Sequence, residues 1–222
     1  MFSKEHEHLR VLLEIALIAA FAMALEYLPH KTGISSVEMS YGLIPIAVIA
    51  LRRGLWPAVA AGFTWGVLDV FLIGLGEGSV LNVWQGLLEY PVAFSVVGLM
   101  GLCYKPFQKA LRAGNRGLTI TWVWLAVLLG TFAKYLCHFY AGWVFWGAYA
   151  PKGMPAWLYS LWINGMSGLI GGVLACVVVT VLAVSEGGEA NCPTRRSFLP
   201  HSVLKLTPLG ERIDQEFQKW HR

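Results

Sequence analysis

The stretch LTITWVWLAVLLGTFAKYLCHFYAGWVFWG (118–147) decides the fold class. About 20 predominantly apolar residues cross the hydrocarbon core of a bilayer as one helix. This run exceeds that length and admits only two basic side chains, Lys134 and His138. Similar runs occupy 10–28, 39–52, 55–74, 80–103 and 157–184. The fold predicted is an all-α membrane protein, a six-transmembrane-helix bundle. Composition agrees: 56% of the 222 residues are hydrophobic and 14% charged, against about 45–50% and about 25% in soluble domains.

Lys and Arg set the expected orientation, because cytoplasmic loops are enriched in them. Lys4 and Arg10, the turn at Arg52 and Arg53, the loop from Lys105 to Arg116 and the tail carry 14 of the 17 basic residues. Both termini are therefore predicted to be cytoplasmic. Residues 1–184 read as the membrane domain with the pocket. Residues 185–222 read as a polar cytoplasmic tail, in which 209–220 has the apolar spacing of a short amphipathic helix. The net charge of +4 is spread through loops, so no basic face for nucleic acid is expected.

Several chemistries lack their motifs. There is no phosphate-binding GxxxxGK[ST] loop, no HExxH and no GxSxG, so no ATP hydrolysis, zinc proteolysis or serine catalysis is expected. Cys103, Cys137, Cys176 and Cys192 form no CxxC pair and no zinc spacing. No metal, no cofactor and no enzymatic activity are predicted.

Ionisable groups within apolar runs carry the functional signal. Each costs about 2.5–3.5 kcal/mol at the bilayer centre on insertion scales, so it is rarely present without a partner or a task. Lys134 and His138 lie one turn apart on one helix face, with Trp146 farther along the same half. Glu89, beside Tyr90, reaches a comparable depth on the fourth run. Tyr159 and Asn164 on the sixth run and Glu38 at the start of the second fall in the same outer zone. Such a set suits a small, polar, cationic ligand. The alternative is a scaffold in which a Glu89–Lys134 or Asp69–Lys134 ion pair only fixes packing; Asp69 is read as structural in either case.

The segments VEMSYGLIPIAVIALRRG (37–54), WQGLLEY (84–90), KYLCHFYAGWVFW (134–146) and LYSLWINGMSG (158–168) resemble the thiamine-specific substrate-binding subunit (S component) of energy-coupling-factor (ECF) transporters. The resemblance covers roughly 8–184. It implies a thiamine pocket lined by Glu38, Glu89, Tyr90, His138, Trp146, Tyr159 and Asn164, with Lys134 supporting them. It also implies a bacterial plasma-membrane location, and partnership with a transmembrane coupling protein and two ATPase subunits. The AxxxAxxxA ridge of Ala16, Ala20 and Ala24 is the kind of surface that would meet the coupling protein, since small residues allow close approach; packing inside the bundle is the alternative. The chain departs from the family where Ile34-Ser35-Ser36 and Ser79 replace expected aromatics. Ser79 and Trp84 are secondary contact candidates, Trp84 as a substitute for the missing tyrosine.

Overall fold

The computed structural model describes residues 2–29, 37–76 and 78–190, and no strand forms among them. The expected capping segment 34–36 and the expected amphipathic helix 209–220 lie outside the described residues. Residues Met1–Ser185 form one compact unit.

Helices α1 (Phe2–Glu26), α2 (Leu43–Arg53), α3 (Leu55–Gly74), α4 (Val83–Arg112), α5 (Arg116–Val144) and α6 (Ala156–Ala190) account for most of the described chain. All but α2 are long and apolar enough to cross a membrane. The outer surface carries the large apolar side chains a lipid environment accepts, among them Leu17, Phe71, Phe132 and Leu169.

Helix α2 has 11 residues and replaces the expected run 39–52. Residues 37–40 are not helical because their polar groups are engaged elsewhere. The Glu38 amide donates to Ser167 Oγ at 3.1 Å, and the Ser40 hydroxyl is drawn between Lys134 and Glu26. At its other end α2 stops at Gly54, whose φ of 88° is left-handed and costs glycine little. Arg53 then clamps α2 to α1: its Nε and Nη2 donate to Glu14 and its Nη1 to Glu7, all at 2.7 Å.

Helix α4 is also corrected. It continues past 103 to Arg112, so Lys105, Lys109 and Arg112 ride on a helix rather than a loop. Its course is irregular: a wide π turn at Leu88–Val92 holds Pro91, and a tighter 3-10 stretch follows at Val97–Cys103. Proline lacks the amide that a regular helix needs, and single π turns inside helices absorb such interruptions, often at functional sites. A second π turn, Val70–Gly74, ends α3.

The AxxxGxxxG ridge of α3 is internal. A Cβ on Gly62 would come within 2.2 Å of the Phe94 carbonyl, and one on Gly66 within 2.6 Å of that of Tyr90. The absence of side chains lets α3 and α4 touch backbone to backbone. Trp65, fully buried, meets the edge of Phe94 at 4.3 Å between ring centres.

Candidate functional site

A cavity of about 650 Å³ opens between the two π turns, α5, α6 and the segment 37–40. Its wall includes Glu26, Glu38, Ser40, Asp69, Ser79, Glu89, Tyr90, Phe94, Lys134, Tyr135, His138, Asn164 and Ser167. Four of those side chains are carboxylates and one is an ammonium. The balance favours a cation. The volume is that of an ordinary small-ligand pocket, about 300–1,000 Å³.

Glu89 sits on the α4 π turn with both oxygens engaged. Trp146 Nε1 donates to Oε1 at 2.9 Å, and Gln85 Nε2 donates to Oε2. The expectation that Trp146 lies on the fifth helix is corrected: α5 ends at Val144, and Trp146 stands in the turn beyond it. The chain's departure from the helix is what lets the indole reach Glu89. Trp146 also meets Tyr149, with ring centres 5.5 Å apart.

Lys134 is 4% exposed. Its Nζ donates to Ser40 Oγ at 2.7 Å, and that hydroxyl donates on to Glu26 at 3.3 Å. Aromatic faces surround the ammonium, with Phe94 at 4.4 Å, Trp65 at 5.2 Å and Tyr135 at 5.3 Å from its nitrogen to the ring centres. Glu89 is held by an amide and an indole, and the Glu89–Lys134 ion pair of the scaffold reading is not formed.

His138 follows Lys134 by one turn on the cavity wall, edge-on to Phe94 at 6.2 Å and tilted against Tyr135 at 5.8 Å. Asn164 is fixed by Nδ2 bonds to the Ser160 carbonyl at 3.0 Å and the His138 carbonyl at 3.4 Å. Its carboxamide thereby ties α6 to α5 at the cavity edge.

Of the sequence candidates, Glu38, Ser79, Glu89, Tyr90, Lys134, His138 and Asn164 line the cavity, and Trp146 joins them through Glu89. Two do not. Trp84 is 77% exposed on the outer face of α4, because five residues on a helix place it about 140° from Glu89. Tyr159 lies off the cavity for the same reason, five residues before Asn164 on α6. Asp69, read as structural, stands on the cavity wall. Glu26, Ser40, Gln85, Phe94, Tyr135 and Ser167 were not anticipated. For Glu26 the signal was available, a carboxylate closing an apolar helix. The exposed ridge of Ala16, Ala20 and Ala24 faces away from the bundle, while neighbouring Ala19, Ala22 and Met23 are buried.

Comparison with known proteins places this geometry. The family model described as thiamine transporter protein matches residues 12–189. The chain belongs to the thiamine transporter family. The resemblance to thiamine-specific S components is thereby borne out. "Thiamine transporter ThiT" of Lacticaseibacillus paracasei is 59% identical over 179 residues, 81% of this chain and 89% of that protein. The Bacillus subtilis protein of the same name is 34% identical over 177 residues, covering 77% and 88%. A solved structure of ThiT from Listeria monocytogenes shares 38% identity with a TM-score of 0.76, over 83% of this chain and 98% of that one. All of the cavity wall falls within the stretch matched by the thiamine transporter family, and the chain is a multi-pass membrane transport protein.

Proposed function

We propose that this chain captures thiamine in its cavity as the membrane-embedded substrate-binding subunit of an ECF-type transporter. The observation that carries this reading is Glu89. A carboxylate inside the membrane-spanning bundle is held between an amide and an indole on the wall of a cavity rich in acids and rings. Thiamine joins a permanently cationic thiazolium to a flat aminopyrimidine and a hydroxyethyl arm. The thiazolium belongs beside Glu89 and Trp146, where a cation–π contact adds about 0.5–2 kcal/mol to charge attraction in a poorly hydrated site. The aminopyrimidine offers donors and acceptors to Asn164 and His138. Glu38, Tyr90 and Lys134 complete the shell around the arm.

In this reading six segments cross a bacterial plasma membrane with both termini in the cytoplasm. Energy comes from outside the chain: a transmembrane coupling protein docks on the Ala16, Ala20 and Ala24 ridge, and two ATPase subunits drive it. The names of the relatives support thiamine as the cargo. Calorimetric titration of the detergent-solubilised protein with thiamine, and separately with its pyrimidine and thiazole precursors, tests the assignment. Thiamine is expected to bind with submicromolar Kd, about −8 kcal/mol or better. Tighter binding of a precursor would reassign the cargo, and binding of none would leave a scaffold.

A further inference from the structure

Gln85 has no place on the cavity wall, yet it is fully buried at the start of α4, one turn before Glu89. Every polar atom of its side chain is used. Nε2 donates to Glu89 Oε2 and to the Ser79 carbonyl at 3.1 Å, and Oε1 accepts from the Leu81 amide at 2.9 Å. Its backbone amide is taken by the Asn82 side chain at 2.9 Å, which caps the helix. One carboxamide thus joins the connection before α4 to the acid that faces the cavity.

We propose that Gln85 is a positioning residue for ligand charge: it occupies Glu89 Oε2 and so presents Oε1 to the cationic ring. A buried carboxylate needs donors in place of lost water, and bonds to an ionised acceptor are roughly twice as strong as neutral ones. With Oε2 taken, the carboxylate is rotated so that Oε1 points toward Trp146. When ligand enters, the indole can exchange its bond for a stacking contact while the amide still holds the acid in register. Ser79, whose carbonyl the same amide holds, also lines the cavity. The connection before α4 and the recognition acid are therefore tied together by one side chain.

The inference rests on the reading that Glu89 receives the charged ring, and a double-mutant cycle on the full chain separates the two. The ligands are thiamine and its uncharged isostere, in which carbon replaces the thiazolium nitrogen. Gln85→Met keeps length without donors. It is expected to weaken thiamine by about tenfold while changing the isostere by less than about threefold, and to have no further effect in a Glu89→Gln background. Asn82→Ala, which loosens the same turn without touching Glu89, is expected to lower thermal stability and leave the ratio of the two affinities unchanged. Should Gln85→Met not fold, Gln85→Asn, too short to hold both bonds, is expected to give the same pattern at smaller amplitude. Equal losses for both ligands, or losses that add to those of Glu89→Gln, would overturn the role of Gln85. If Glu89→Gln itself leaves thiamine affinity intact, it is the assignment of the site that fails instead.

Discussion

Trp146 and Glu89 are joined by an indole-to-carboxylate hydrogen bond of 2.9 Å between residues 57 apart in sequence. The bond fastens the turn after α5 to the π turn of α4. Replacing Trp146 by Phe keeps a ring but removes the N–H. Thiamine affinity is expected to fall by about three- to tenfold, the worth of a weaker cation–π and stacking face. Titration calorimetry reads the change; an affinity equal to that of the unaltered chain would remove Trp146 from the site.

Gly74 makes room for Tyr90. A Cβ there would lie 2.7 Å from the tyrosine ring and its hydroxyl, whereas one on Gly165 would meet nothing within 4 Å. Gly74→Ala is expected to displace Tyr90 from the cavity wall and weaken thiamine binding by about tenfold, with overpacking costing about 1–3 kcal/mol. Gly165→Ala is expected to bind as before. The pair of titrations tests whether Tyr90 placement matters.

Lys134 anchors the non-helical segment 37–40 through Ser40. Lys134→Met removes a charged hydrogen bond and leaves the Ser40 oxygen without its donor, although the Ser40 hydroxyl can still donate to Glu26. Stability is expected to drop by about 2 kcal/mol, measured by thermal unfolding in detergent. An unchanged midpoint would show that the ammonium does not secure this segment.

The ridge of Ala16, Ala20 and Ala24 separates binding from uptake. These residues are exposed and far from any role in lining the cavity. Ala20→Leu is expected to leave thiamine affinity within about twofold, since surface changes usually cost little, yet to abolish labelled-thiamine uptake in cells that supply the coupling subunits. Retained uptake would place the docking surface elsewhere.

Trp84 supplies a negative control. Its ring is directed outward, 77% exposed, so Trp84→Ala is expected to alter neither affinity nor the ligand-induced change in fluorescence. A loss of either would mean that the ring turns inward when ligand binds.

Much of the architecture was legible because burial in lipid writes itself directly into residue type. Five runs of apolar residues returned as long helices. The boundaries failed where tertiary bonds take backbone or side-chain groups away from a helix, as Ser167 and Lys134 do at 37–40. The site was legible where a residue is costly in a membrane: Glu89, Lys134 and His138 announce themselves. Gln85 did not, since an uncharged amide carries no such signal and its importance arises from three bonds made in space. Asp69 was charged and read as structural; sequence does not reveal the π turn that follows it, at the end of α3 that lines the cavity. Trp84, offered as a substitute for the missing tyrosine, and Tyr159, implied by the resemblance, stand off the cavity wall, about 140° around their helices from Glu89 and Asn164.

A crystal structure of the full chain with thiamine bound tests the central claim most directly. The account predicts the thiazolium between the Glu89 carboxylate and the Trp146 ring, with the aminopyrimidine toward His138 and Asn164. Thiamine seated elsewhere, or with its charged ring turned away from Glu89, would contradict it.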